Sequence, residues 1–154
     1  MKTMSQIYIM LVFAVKYRRA LIVPEIREHL YNMLGKLITD HGKGSIPLRI
    51  GGIDDHVHIL VGLSPRISVE DLCREIKSRS SRWINEQHFL RYKFEWQRGY
   101  GVFSYSHSAK NQVIRYIDGQ ENHHAKIPFI EEFKTMMEKF ELISDSRDLP
   151  QEPI

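Results

Sequence analysis

The chain has one cysteine, Cys73, in 154 residues. A lone thiol excludes a disulfide framework and a thiolate zinc cluster, and it fits a reducing compartment. No stretch approaches the roughly 18 uncharged apolar residues of a membrane-spanning helix, and Met1 to Ser5 lack the basic start and small-residue cleavage site of a signal peptide. No membrane partner and a cytoplasmic location are therefore expected. Internal repeats and low-complexity blocks are also missing. The net charge is small: Lys plus Arg is 22 against 19 for Asp plus Glu, an excess of +3. Acidic residues gather after Glu121, so the body is more basic than the total suggests, and a polyanionic partner is as compatible with it as ordinary enzyme chemistry.

What is present suffices for one core. With 42% hydrophobic residues, a chain of this size buries roughly two thirds of the surface its unfolded form exposes. Residues 1–143 read as a single domain. Residues 144–154, polar and carrying Pro150 and Pro153, read as a flexible tail.

The order of elements follows from periodicity. Ile7 to Val15 is an almost unbroken apolar run, the pattern of a strand covered on both faces. Pro24 opens a helix whose apolar residues Ile26, Leu30, Leu34 and Leu37 recur every three or four positions until Gly42 and Gly44. Ile46–Ile53 and His56–Leu63, joined by Asp54 and Asp55, read as a hairpin. Ser68 with Asp71 is a capping pair, after which Leu72, Cys73, Ile76 and Trp83 trace one stripe of a second helix to about Gln87. Phe94–Trp96 and Tyr100–Tyr105 predict one or two further strands. A third helix spans Ser108 to about His123, and a fourth follows Pro128. The order predicts an α+β fold: a ferredoxin-like split-βαβ with an antiparallel sheet, helices on one face and a C-terminal helical extension.

Three constellations carry possible chemistry. In Asp55-His56-Val57-His58 the two histidines share one strand face with Cα atoms about 6.5–7 Å apart, close enough to share a divalent metal. The bland alternative is a pair of solvated or hydrogen-bonded strand histidines. Tyr116 and Gln120, four apart, stack on one helical face. The glutamine offers an oxygen ligand and the tyrosine a nucleophile toward phosphorus; an amphipathic tyrosine packing its ring is the plainer reading. His123 and His124 continue that face. Arg74, Lys77, Arg79 and Arg82, interleaved with serines, make a cationic helix face suited to phosphate oxygens or simply to solvent, and Lys16, Arg18 and Arg19 form a second cluster. Trp83, Tyr92, Trp96 and Tyr100 lie among these charges, available for base stacking or for the core.

In chain order these features resemble the single-tyrosine HUH transposases of small bacterial insertion sequences, with the REP-associated tyrosine transposases as close relatives. The resemblance runs from Lys16-Tyr17-Arg18-Arg19 through Asp55 to Val61, Ile76 to Ser81 and Trp96 to Gly101, ending at Tyr116-Ile117-Asp118-Gly119-Gln120. It implies a metal-dependent tyrosine transposase that cleaves and rejoins single-stranded DNA by transesterification through a 5′-phosphotyrosine intermediate. His56, His58 and Gln120 would hold one Mg²⁺ or Mn²⁺, and Tyr116 would be the nucleophile. Lys16, Arg18, Arg19, Arg74, Lys77, Arg79 and Arg82 would hold DNA, with a hairpin at the element ends as partner. A homodimer is implied too, in which the tyrosine helix of one subunit completes the other's site.

Two other classes compete. A metal-dependent single-strand nuclease using activated water would take Asp54 or Asp55 as base. A non-catalytic nucleic-acid-binding module of the same fold would display aromatic rings on its central strands, where this sequence has His56 and His58.

Overall fold

The computed structural model describes residues 1–124 and 127–142. The side chain of His124 and the tail expected from Ser144 lie outside the described residues.

The apolar run folds as β1 (Tyr8–Ala14), followed by a short 3₁₀ turn over Lys16–Arg18 and by α1 (Pro24–His41). The hairpin is β2 (Ile46–Ile53) and β3 (His56–Gly62), and α2 (Val69–Gln87) returns to β4 (Gly101–Tyr105). Strand order is β2-β3-β1-β4, every neighbouring pair antiparallel, with Val12 opposite His58 and Ala14 opposite His56. This is the split-βαβ arrangement. β1 is central, paired on both edges, which is why nearly every residue in it is apolar.

Alternation sorts the side chains. Leu11, Phe13, Val57 and Ile59 point to one face, where Leu30, Leu34 and Ile38 of α1 and Leu72 and Ile76 of α2 cover them. Met10, Val12, Leu60 and Phe103 point to the other, beneath α3 (Lys110–Asp118) and α5 (Phe129–Lys139). The C-terminal helices thus roof the face that carries His56 and His58. α2 starts where its cap predicts, the Ser68 hydroxyl accepting from the Asp71 amide at 3.0 Å.

Two elements differ from the periodicity. Phe94–Trp96 forms no strand, only a single bridge from Trp96 to Val15, because β1 has already turned away into the 3₁₀ segment. The long third helix is broken: a 3₁₀ turn at His107–Ala109 leads into α3, Gly119 ends it, and α4 (Gln120–His124) begins afresh. Glycine is the poorest helix former after proline, so ending the helix at Gly119 forfeits little.

Gly51 of β2 governs how closely α3 approaches. A Cβ there would lie 2.7 Å from both the carbonyl oxygen and Cγ2 of Ile117. Only glycine lets the helix next to Tyr116 settle on the sheet. No helix among the described residues is long and apolar enough to cross a membrane.

Candidate active site

His56 and His58 extend from β3 on either side of Val57, and both are fully buried. Their rings stand edge to face, centroids 5.1 Å apart. The preceding turn orients the first: Asp55 Oδ1 lies 2.8 Å from His56 Nδ1, while Arg18 Nε donates to Asp55 Oδ2 at 3.3 Å. Burial by itself would raise the Asp55 carboxyl, but the hydrogen bond and charge of His56, helped by Arg18, hold it below the usual carboxylate range. With Nδ1 engaged, Nε2 of His56 faces inward, the arrangement in which a second-shell carboxylate sets the tautomer of a metal-binding imidazole.

Opposite the histidines stand Gln120, at the start of α4, and Glu132, on α5. Gln120 Oε1 is 3.0 Å from His56 Nε2, and Glu132 Oε1 is 3.0 Å from His58 Nε2 and 3.9 Å from His56 Nε2. The other carboxylate oxygen, Oε2, accepts from Gln120 Nε2 at 3.2 Å and lies 2.9 Å from His123 Nε2. Phe129 stacks flat on the His56 ring at 3.8 Å. Gln120 and Glu132 are only 1% and 4% exposed. Donor atoms of His56, His58 and Glu132 all lie within 4.8 Å of one another. Imidazole nitrogens, an amide oxygen and a carboxylate oxygen at this spacing fit a divalent cation.

Sequence reasoning missed Glu132. A signal existed: it falls three residues after Phe129 and four before Met136, inside the apolar stripe of α5, where a carboxylate needs a reason to be.

Tyr116 projects from α3 to the same centre. Its ring lies 5.5 Å from that of His58 and 5.7 Å from that of His123, and its hydroxyl is 3.9 Å from Met136 Sδ. Burial pushes its phenol well above the ordinary tyrosine range, and the charge and hydrogen bond of Glu132 push it further, against a smaller opposing hydrogen bond from Gln120. A cavity of about 470 Å³ opens beside it, lined in part by Tyr105, Gln112, Tyr116, His123, Glu132 and Phe140.

The basic residues separate into two kinds. Arg18 is drawn inward, its guanidinium held by Asp55 and lying 5.6 Å from the Phe129 ring centroid. Lys77 is likewise engaged, its ammonium donating to the carbonyls of Gln97 at 2.7 Å and Gly99 at 2.5 Å. Lys16 pairs with Glu95, Arg74 with Asp71 and Arg79 with Glu75 in accessible ion pairs, Arg19 lies 5.8 Å from the Tyr92 ring, and Arg82 is exposed. Trp96 is core, its indole donating to the buried Ser80 hydroxyl at 2.9 Å.

Fold and site together define a ferredoxin-like α+β domain with a buried histidine, amide and carboxylate cluster against a tyrosine on a following helix. A family model described as "Transposase IS200 like" matches residues 3–120, and the chain belongs to that family. It is similar to the ISDra2 transposase TnpA of Deinococcus radiodurans, 26% identical over 117 residues, which cover 73% of this chain and 82% of that protein. It is 34% identical over 97 residues to the transposase for insertion sequence element IS200 of Salmonella typhimurium, covering 60% of this chain and 62% of that one. Among solved structures, a transposase from Deinococcus radiodurans R1 superposes with a TM-score of 0.63 at 24% identity, over 78% of this chain and 95% of that one. A REP-associated tyrosine transposase bound to a REP hairpin gives 0.61 at 14% identity, over 100% and 96%. At those identities the two structures show a shared fold.

Proposed function

We propose that the protein cleaves and rejoins single-stranded DNA by transesterification through Tyr116. The observation that carries this reading is the convergence, within one chain, of the Tyr116 ring 5.5 Å from His58 with the 3.0 Å contact between His56 and Gln120. Membership of the IS200-like family supports it.

His56, His58 and Gln120 would hold a Mg²⁺ or Mn²⁺ ion, which when bound would supply Lewis-acid stabilisation of the charge that develops at the scissile phosphate. The chain's own residues do the rest. Asp55 keeps His56 in the ligating orientation, and Phe129 stacked on its ring restrains the imidazole. The phenol oxygen of Tyr116 forms a bond to phosphorus in line as the bond to the 3′ oxygen breaks, and the leaving oxygen gains the proton the phenol gives up. The products are a 5′-phosphotyrosine and a free 3′-OH. Attack of another 3′-OH on that ester rejoins the strand and returns a proton to Tyr116, without a nucleotide triphosphate. The cavity beside Tyr116 gives the scissile nucleotide room next to the phenol.

Lys16, Arg19, Arg74, Arg79 and Arg82 are the accessible cations suited to the phosphate backbone, while Arg18 and Lys77 contribute by holding the turn and the loop beside it. The REP hairpin bound by the structural relative supports a hairpin substrate here. A water-activating nuclease has less support, because Asp55 is engaged by His56 and Arg18, and Asp54 by Arg27. Tyr116 stands against its own chain's histidines, so the chemistry does not require a trans arrangement; a homodimer is expected to show as a doubled solution mass, measured with and without DNA.

The test is a denaturing gel of the protein incubated with Mn²⁺ and end-labelled single-stranded DNA carrying the ends of its own element. Wild type is expected to form a covalent adduct and Tyr116→Phe none. An adduct formed equally by the variant, or cleavage without one, would overturn Tyr116 as nucleophile.

A further inference from the structure

We infer that Glu132 is a fourth protein ligand of the cation, so that the centre is closed by α5 and consists of two imidazoles, one amide and one carboxylate. The inference rests on the proposed metal reading of the site and extends it to a residue beyond the family-matched segment, which ends at residue 120.

Distances carry the argument. Two donors each about 2.1 Å from a common ion are about 3.0 Å apart at a right angle and about 4.2 Å apart when opposite. Glu132 Oε1 stands 3.0 Å from His58 Nε2 and 3.9 Å from His56 Nε2, and Gln120 Oε1 stands 3.0 Å from His56 Nε2. All three separations fall within the range that one ion demands. A hydrogen bond alone explains the two shorter contacts but not why Oε1 converges on both imidazoles at once.

Charge points the same way. Glu132 is 4% exposed, and a buried carboxylate is costly unless a positive charge balances it. Histidines that ligate a metal are neutral, so beside them a divalent cation supplies that balance. The two oxygens then divide the work. Oε1 faces the ion, while Oε2 accepts from Gln120 Nε2 at 3.2 Å and lies 2.9 Å from His123 Nε2, so the amide fixes the carboxylate's rotation and ties α4 to α5. Four protein donors leave about two of six octahedral positions for oxygens of the DNA. A hard carboxylate beside imidazoles suits Mn²⁺ and Mg²⁺ better than an all-neutral set.

The experiment measures Mn²⁺ binding to the full chain without DNA, by titration calorimetry, in wild type, His58→Ala and Glu132→Gln. Wild type is expected to bind one ion. Glu132→Gln is expected to bind it at least ~10-fold more weakly, the low end of what losing even an outer-shell partner costs. Affinity within about twofold of wild type would overturn the proposal, including the case in which Glu132→Gln binds Mn²⁺ normally but loses cleavage, since Glu132 would then act on the phenol. Should Glu132→Gln fail to fold, anomalous scattering from a wild-type crystal soaked in Mn²⁺ decides: an ion about 2.2 Å from Oε1 supports the ligand, and one on the histidines beyond hydrogen-bond reach of Oε1 sinks it. Wild type that binds no Mn²⁺, with no ion at His56 and His58, would remove the metal reading itself; an ion on the histidines alone removes only Glu132.

Discussion

The Asp55 carboxylate, 2.8 Å from His56 Nδ1, locks the first of two buried histidines so that its other nitrogen faces Gln120 3.0 Å away. A residue in a hairpin turn thereby sets the geometry of a centre it does not enter. Asp55→Asn keeps the shape but supplies a weaker acceptor, and it releases Arg18. We expect Mn²⁺ affinity to fall by about 10–100-fold with the fold retained, as measured by calorimetry alongside circular dichroism. Unchanged affinity would show that His56 needs no such support.

Gly51→Ala probes the seating of the tyrosine helix. The added methyl would meet the backbone oxygen of Ile117 at 2.7 Å, and a backbone atom cannot swing aside. The helix must shift outward, carrying Tyr116 from His58. Stability should drop by about 1–3 kcal/mol, as for overpacked cores, and adduct formation should fall more than DNA binding. Equal losses of binding and cleavage would argue that α3 holds DNA rather than presenting the nucleophile.

The basic residues of α2 should separate in one experiment. Lys77 holds two loop carbonyls, so Lys77→Ala is expected to lower the melting temperature. Arg82→Ala, at an exposed position, should leave melting unchanged while weakening DNA affinity and flattening its dependence on salt. A salt slope identical to wild type in Arg82→Ala would exclude that side chain from the phosphate contacts.

Tyr31 of α1 offers a pH test away from the site. Its hydroxyl is buried with no hydrogen-bond partner among the described residues, and burial, with Glu121 and Asp54 adding to it and Arg27 opposing, raises the phenol from 10.0 to about 12. A folded-state value above the unfolded one means that the linked stability is complete below about pH 10 and is lost as pH climbs toward 12. Tyr31→Phe removes both this loss and a buried unsatisfied hydroxyl. It should be neutral or stabilising by up to about 1 kcal/mol at pH 8, and its advantage in urea unfolding should widen at pH 11. A constant gap across that range would show that Tyr31 ionises as freely folded as unfolded.

Local pattern carried much of the architecture. The unbroken run of β1, the hairpin around Asp54 and Asp55, the Ser68 cap and the shared face of His56 and His58 all depend on residues within a few positions of one another, and such short-range information is written in order. The broken third helix was less legible, because Gly119 ends a helix only when neighbouring packing does not force it through.

By itself the amino-acid order determined the split-βαβ arrangement, the paired imidazoles and the tyrosine with its glutamine. Only the folded chain decided that Arg18 and Lys77 turn inward, and that Glu132, 74 residues from His58, closes the cluster. The physical reason is range. Alternation along a strand assigns a side chain to a face, but the partner of a buried charge is chosen by which distant helix covers that face, and no local period encodes that choice.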